Sequence, residues 1–184
     1  MTSAQWKQHL ANQYQAMCAF QENDLFGWRI APGQQVPYVT SYIVTYTVKT
    51  MVMKGDCLMP QMQTVVRIDL PASERDCIRA QVIGGEVPFS PNIYSNGWIS
   101  AGGYHGGLTA LWTLVIIIGR IIAFDPAVTN PESPSNSAAA RDWKQKQAAG
   151  QLPYPCGRVD FPSPAGYSPR KNRNPSAVER RIGV

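Results

Sequence analysis

The reading of this chain turns on VPFSPNIYSNGWIS, Val87 to Ser100. Two prolines, two asparagines and a glycine separate single apolar residues, a pattern with neither the 3.6-residue period of a helix nor the alternation of a strand. It reads as an ordered but irregular segment. Directly after the glycine-rich AGGYHGG comes LTALWTLVIIIGRIIAF, Leu108 to Phe124, seventeen residues of almost unbroken apolar character. That run is short for a membrane span and carries Arg120 near its end, so a helix buried in a core is expected. Its β-branched residues leave a strand open on propensity alone, but the length favours a helix.

Upstream, Trp6, Leu10, Tyr14 and Met17 form one face of an amphipathic helix over residues 3–21, with Thr2 or Ser3 as cap. APGQQVP breaks the chain. SYIVTYTVKTMVM reads as a strand, KGDCLMP as a turn or loop, MQTVVRIDL as a second strand closed by Pro71, and CIRAQVI as a third closed by Gly84 and Gly85. Short links predict an antiparallel meander of three to four strands. Downstream, Asp125-Pro126 ends the apolar helix, and a Pro-rich loop leads into an alanine-rich helix from about Ser137, stopped by Gly150. The fold class is α+β, with helices on one face of a meander. Residues 1–150 form the domain. Residues 151–184 form a Pro-rich basic tail, extended or partly disordered, with Tyr154 or Phe161 available to touch the domain.

The net charge of +5 is concentrated in that tail, where six basic residues face two acids; residues 1–150 carry only +1. A nearly neutral body argues against nucleic acid as a partner. Cys18, Cys57, Cys77 and Cys156 lack CxxC spacing, and His9 and His105 lie far apart, so neither a metal site nor a cofactor is expected. Scattered thiols and no visible leader point to a reducing cytoplasm, with no membrane partner.

The order of elements, together with PNIYSNGWIS in its place, resembles the ubiquitin-conjugating enzyme family. That family carries a His-Pro-Asn-Ile segment, then a glycine and an apolar residue before Ile-Cys, a buried helix, an Asp-Pro, and an Asn-Pro-x-(Asp or Ser)-Pro loop. This chain has Pro91-Asn92-Ile93, Gly97-Trp98-Ile99, Asp125-Pro126 and NPESP at Asn130–Pro134. The resemblance covers most of residues 1–150 and looks closest to divergent members in bacterial ubiquitin-like conjugation operons linked to phage defence. It departs at two positions: Ser90 replaces the histidine, and Ser100 replaces the cysteine that accepts the acyl group.

What the resemblance implies is acyl transfer. The carboxyl-terminal glycine of a ubiquitin-like protein would pass from an adenylating activating enzyme to Ser100 as an oxyester, then to a lysine of a target protein. A serine hydroxyl needs a general base that a thiol does not. His105 is the histidine near it in sequence, and its glycine-rich setting gives the backbone freedom to bring the ring back. Asn92 takes the family's oxyanion-supporting role, or orders the loop. Ser133 stands where the family's Asp or Ser gates the cleft, with ordinary turn chemistry as the alternative. Asp125 reads as a capping or terminating residue, and Tyr94 and Trp98 each as lining the cleft or as packing, with packing favoured for Trp98. Lys7 lies on the helix where the family docks its activating enzyme. Three readings of Ser100 stay open: a native nucleophile, an introduced replacement for cysteine that traps the oxyester, or a catalytically silent variant that binds a ubiquitin-like protein or activating enzyme without a covalent bond.

Overall fold

Helix α1 spans Ser3–Ala19. Thr2 closes its first turn as a capping box: the Gln5 N–H donates to Thr2 Oγ1 at 3.3 Å, and the Thr2 N–H donates to Gln5 Oε1 at 2.8 Å. Trp6, Leu10 and Met17 are buried on the face the spacing predicts, and Gln13 is buried with them. The computed structural model describes residues 1–19 and 24–151. The expected end of the first helix at residue 21 and the whole Pro-rich tail beyond residue 151, including Tyr154, Cys156 and Phe161, lie outside the described residues.

Four strands form the main sheet in the order β1-β2-β5-β6, all antiparallel: β1 Phe26–Ile30, β2 Ser41–Tyr46, β5 Thr64–Asp69 and β6 Arg79–Gly84. The register sets Val44 against Val66 and Val66 against Val82, and Tyr42 against Ile68 and Ile68 against Ala80. These rows are buried, so one face of the sheet is a wall of β-branched and aromatic side chains. β1 was not legible: FGWRI is short, half-exposed and interrupted by Gly27.

The stretch read as one strand, SYIVTYTVKTMVM, is two. β2 ends at Tyr46, and β3 Thr50–Lys54 belongs to a separate hairpin with β4 Cys57–Gln61. Thr47 and Lys49 are exposed at the break. The turn expected in KGDCLMP shrinks to Gly55-Asp56, where Gly55 supplies φ 59° and Lys54 pairs with Cys57, a two-residue hairpin loop. Thr50 and Val52 face inward, while Met51 and Met53 face outward against Pro60 and Leu58. The hairpin is tied to the domain where the Phe89 N–H donates to the Met51 carbonyl at 2.8 Å.

Helix α2, Leu111–Ile122, is the expected buried helix; Leu111, Leu114, Val115, Ile118 and Ile121 are all fully buried in the core that the sheet lines. No helix among the described residues is long and apolar enough to cross a membrane. Its first turn lacks a cap of its own. Gln13 of α1 supplies one: its Oε1 accepts from the Leu111 N–H at 2.8 Å, and its Nε2 donates to the Thr109 carbonyl at 3.4 Å. Tyr46 of β2 donates its hydroxyl to the Val115 carbonyl at 2.8 Å. Asp125 terminates α2 as expected: Oδ2 accepts from Arg120 Nε at 2.6 Å, and Oδ1 from the Ala127 N–H at 2.8 Å. Helix α3, Ser137–Ala148, starts at Asn136, whose side chain accepts from the Ala139 N–H. It stops at Gly150, φ 67°, where the Gln151 and Gly150 N–H groups reach back to Lys146 and Gln147, the Schellman pairing.

Two predictions follow from the core. Gln13→Ala removes a buried cap and leaves the Leu111 N–H unpaired, so urea unfolding should show a loss of about 1–3 kcal/mol, whereas Gln8→Ala on the exposed face should stay within about 0.5 kcal/mol. Burial holds the Tyr42 and Tyr46 phenols above their ordinary value of 10.0. Above that pH the unfolded chain loses protons that the folded chain keeps, so stability present below pH 10 should fall as pH rises, by about 1.4 kcal/mol per pH unit for each phenol. In an alkaline titration, phenolate absorbance from these two residues should appear together with loss of helical circular dichroism; Tyr46→Phe should reduce the steepness.

Candidate functional site

β6 runs into Gly85, φ 80°, and then into the irregular segment. The segment is irregular because its backbone bonds go elsewhere than to a ladder. The Glu86 N–H donates to Gln61 Oε1 at 2.9 Å. Beyond Pro91 the chain folds on itself: the Tyr94 N–H donates to the Trp98 carbonyl and the Gly97 N–H to the Tyr94 carbonyl, both at 2.8 Å. Gly97 has φ 87°, and a Cβ there would stand 3.1 Å from the Val82 carbonyl oxygen. Glycine is therefore required both for the turn and for the close approach to β6. Trp98 then lies opposite Gln81, and the Ile99 N–H donates to the Ala80 carbonyl at 3.0 Å. Ile99 and Ala101 are buried; Trp98 and Ser100 between and beside them are half-exposed.

Asn92 ties three pieces of chain together. Its backbone carbonyl accepts from the Ser100 N–H at 2.8 Å, and its Nδ2 donates back to the Ser100 carbonyl at 3.1 Å. The same Nδ2 reaches the Val128 carbonyl at 3.4 Å, and Oδ1 accepts from the Asn130 N–H at 2.8 Å. Next to it, the Pro91 carbonyl accepts from Ser135 and Asn136 at 2.7 and 3.2 Å. All of the Asn92 amide is thus engaged with backbone, and the residue is buried. Loop ordering is the role this geometry supports. Ser90, in the place of the family's histidine, is also fully buried, and its Oγ accepts from the Asn92 N–H at 3.3 Å.

The other expected site residues fall as follows. Ser133 is exposed, and its N–H donates to Asn130 Oδ1 at 3.2 Å, as does that of Glu132. That is the turn chemistry of an Asn-initiated loop, and Asn92 links this loop to Ser100. Tyr94 is exposed. His105 has both ring nitrogens committed to backbone. Nε2 accepts from the Ala101 N–H at 2.7 Å, and Nδ1 lies 2.9 Å from the Ile78 carbonyl. One neutral tautomer, protonated at Nδ1, satisfies both. In this arrangement neither nitrogen is free to take a proton from Ser100, so the ring braces the turn at Gly102–His105 where a general base was expected.

The structure also brings together residues that sequence reasoning passed over. A cleft of about 510 Å³ is lined by Asp69, Pro71, Asp76, Cys77, Arg79 and Trp98, among others. Trp98, read as cleft or packing, is one wall of it. The signal available in the sequence was the period-two alternation of CIRAQV, which sets Cys77, Arg79 and Gln81 on one face and the buried Ile78, Ala80 and Val82 on the other. Among the described residues no group of three or more His, Cys, Asp or Glu side chains is placed to hold a metal ion.

Asn92→Ala deletes three side-chain hydrogen bonds at one buried point. It should cost about 1–3 kcal/mol for the groups left unpaired and should raise amide hydrogen exchange at Asn130, the one backbone N–H that bonds to the Asn92 side chain. Ser133→Ala, which removes no bond at this junction, should leave both unchanged.

No family model and no curated protein matches the chain. Solved structures do. H. polymorpha ubiquitin conjugating enzyme Pex4p, solved in complex with the soluble domain of Pex22p, aligns with a TM-score of 0.53 at 15% identity, over 78% of this chain and 90% of that one. S. cerevisiae Ubc12 aligns with a TM-score of 0.52 at 10% identity, over 76% of this chain and 71% of that one. At such identities the likeness concerns architecture. The N-terminal helix, antiparallel sheet, irregular segment and buried helix make up the fold of the ubiquitin-conjugating enzymes.

Proposed function

We propose that this chain is a conjugating enzyme for a ubiquitin-like protein, accepting that protein's carboxyl-terminal glycine from an adenylating activating enzyme and passing it to a lysine of a target. The observation that carries the reading is the position of Ser100. It stands half-exposed at the end of the irregular segment, on this fold, and is locked to Asn92 by two reciprocal hydrogen bonds of 2.8 and 3.1 Å. The acceptor is the Ser100 hydroxyl, which forms an oxyester with loss of the donor's leaving group. Asn92 holds Ser100 and the Val128–Asn130 loop in register, and Ser133 on that loop borders the approach of the amine. We place the reaction in a reducing cytoplasm, consistent with three exposed, unpaired cysteines among the described residues, and within a bacterial conjugation operon of the phage-defence type.

A second reading, a non-covalent binding module for a ubiquitin-like protein or activating enzyme, has one observation in its favour. His105 is occupied by Ala101 and Ile78, so Ser100 has no histidine base.

Intact mass after incubation with the activating enzyme, ATP and the ubiquitin-like protein separates the two. The conjugating reading expects an adduct that survives thiol reductant, is cleaved by mild hydroxide, and is absent in Ser100→Ala. Ser100→Cys should load faster and give a reductant-sensitive product. An adduct retained in Ser100→Ala removes Ser100 as nucleophile; measurable affinity with no covalent product under any condition selects the binding module. His105→Ala should weaken loading only as far as it loosens the turn, seen as a matching loss of stability. A slowed reaction in a fully stable variant would restore His105 as base. Co-purification with a small β-grasp protein and an adenylating enzyme tests the operon setting.

A further inference from the structure

We propose that Cys18 is a site of reversible oxidation by hydroperoxides, and that the hydroxyls of Tyr14 and Tyr42 hold the oxygen it gains. The proposal is independent of the conjugating reading. Cys18, Cys57 and Cys77 are all exposed and unpaired, so exposure alone singles out none of them. Cys18 is distinguished by two phenols that come to it from different elements.

Tyr14 and Cys18 stand one turn apart on the same face of α1, and their side chains are hydrogen-bonded to each other. Tyr14 packs against the hydrophobic core, to which Tyr42 of β2 belongs. Tyr42 is 0% exposed, and its hydroxyl makes no hydrogen bond among the described residues. Buried polar atoms are nearly always paired, so an orphaned one calls for a reason. Tyr46, further along the same face of β2, shows the ordinary solution: its hydroxyl donates to the Val115 carbonyl at 2.8 Å. The polar neighbours of the Tyr42 hydroxyl are instead the α1 pair. Burial first, and then the charges of Cys18 and Tyr14, hold the Tyr42 phenol above its ordinary value of 10.0. Tyr14 is held up as well, by its hydrogen bond to Cys18 and then by the charge of that residue. Both phenols therefore stay protonated at neutral pH and remain donors.

The thiolate is the form that attacks peroxide. The Cys18 sulfur takes one peroxide oxygen; the S–O bond forms, the O–O bond breaks, sulfur is oxidised and the peroxide reduced. The second oxygen leaves as hydroxide, collects a proton from solvent and becomes water, and Cys18 is left as the sulfenic acid. Negative charge moves onto oxygen during this step, where preset O–H donors stabilise it. Cys18 lies in the last turn of α1, the end at which the helix dipole opposes negative charge, so that stabilisation has to come from side chains. The oxygen gained by sulfur is also the acceptor that Tyr42 lacks in the reduced protein. A small thiol reverses the change. One equivalent forms a mixed disulfide with loss of water, and another attacks that disulfide and releases the Cys18 thiol.

The test uses the full chain, treated with substoichiometric hydrogen peroxide in the presence of dimedone, which traps sulfenic acids as thioethers; peptide mapping then reads each cysteine. The expected result is labelling of Cys18 several-fold faster than of Cys57 or Cys77. Tyr42→Phe deletes a hydroxyl that bonds to nothing in the reduced protein. It should leave the urea midpoint unchanged, slow Cys18 labelling several-fold and leave Cys57 and Cys77 at their original rates. Tyr14→Phe should slow Cys18 in the same selective way. Iodoacetamide, which adds no charged oxygen to sulfur, should alkylate Cys18 equally fast in the wild type and in Tyr42→Phe. Labelling of Cys18 no faster than of the other two thiols overturns the proposal, as does indifference to both phenylalanine variants. An equal loss of alkylation and of dimedone labelling in Tyr42→Phe also overturns it, because the phenol would then act on the thiol's accessibility and not on the oxygen.

Discussion

Helix α2 is a helix only because something covers it. Val115, Ile116, Ile117, Ile118, Ile121 and Ile122 are β-branched, and such residues lose side-chain freedom in a helix without gaining anything from propensity. Its stability comes from tertiary burial. The sheet supplies the apolar wall, and the rest of the molecule supplies polar partners where that wall cannot. Gln13 closes the first turn from α1, Tyr46 reaches a mid-helix carbonyl from β2, and Asp125 with Arg120 closes the last turn. α1, β2 and the Asp125 loop are thus fixed relative to one another by bonds that all end on this one element.

The irregular segment presents the opposite problem. It has little apolar area of its own, and its order depends on polar groups meeting backbone from several directions. Asn92 meets Ser100, Val128 and Asn130; Pro91 meets the start of α3; His105 meets Ala101 and Ile78. A side chain with every polar atom so engaged is costly to disturb. That is a sound way to hold the turn that bears Ser100 rigid, and it leaves both His105 nitrogens engaged with backbone rather than with Ser100.

What could be read beforehand followed from local chemistry. The buried face and the start of α1, the start and stop of α3, and the strand character of β2, β5 and β6 follow from period, Gly, Pro and β-branched content, and all appear in the structure. Short links between the strands pointed to an antiparallel meander, and that element order together with Pro91-Asn92-Ile93, Gly97-Trp98-Ile99 and NPESP carried the resemblance. What was missed depends on non-local pairing. β1 earns its strand from register with β2 rather than from its own sequence. SYIVTYTVKTMVM has uniform strand propensity, and only the three-dimensional need to leave the main sheet divides it at Thr47–Lys49. His105 was placed correctly near Ser100 in sequence, but proximity does not reveal that Ile78, 27 residues away, occupies one of its nitrogens. The cleft, likewise, joins β5, β6 and Trp98, which no linear pattern places together.

The β3–β4 hairpin has one open side. β4 has no further strand beside it among the described residues, and Met53, Met59 and Met62 are exposed there. A bare edge with adaptable apolar side chains is a template on which another chain could add a strand. Pro60 stands opposite Met51, whose carbonyl points away from β4 toward Phe89; at such a pair the nitrogen of residue 60 points outward as well. Proline has no hydrogen to offer there. The open rim therefore lacks a donor at its middle, and an incoming strand would find its ladder interrupted after a single rung. The hairpin keeps a soft, sulfur-rich surface while remaining a poor seed for edge-to-edge growth.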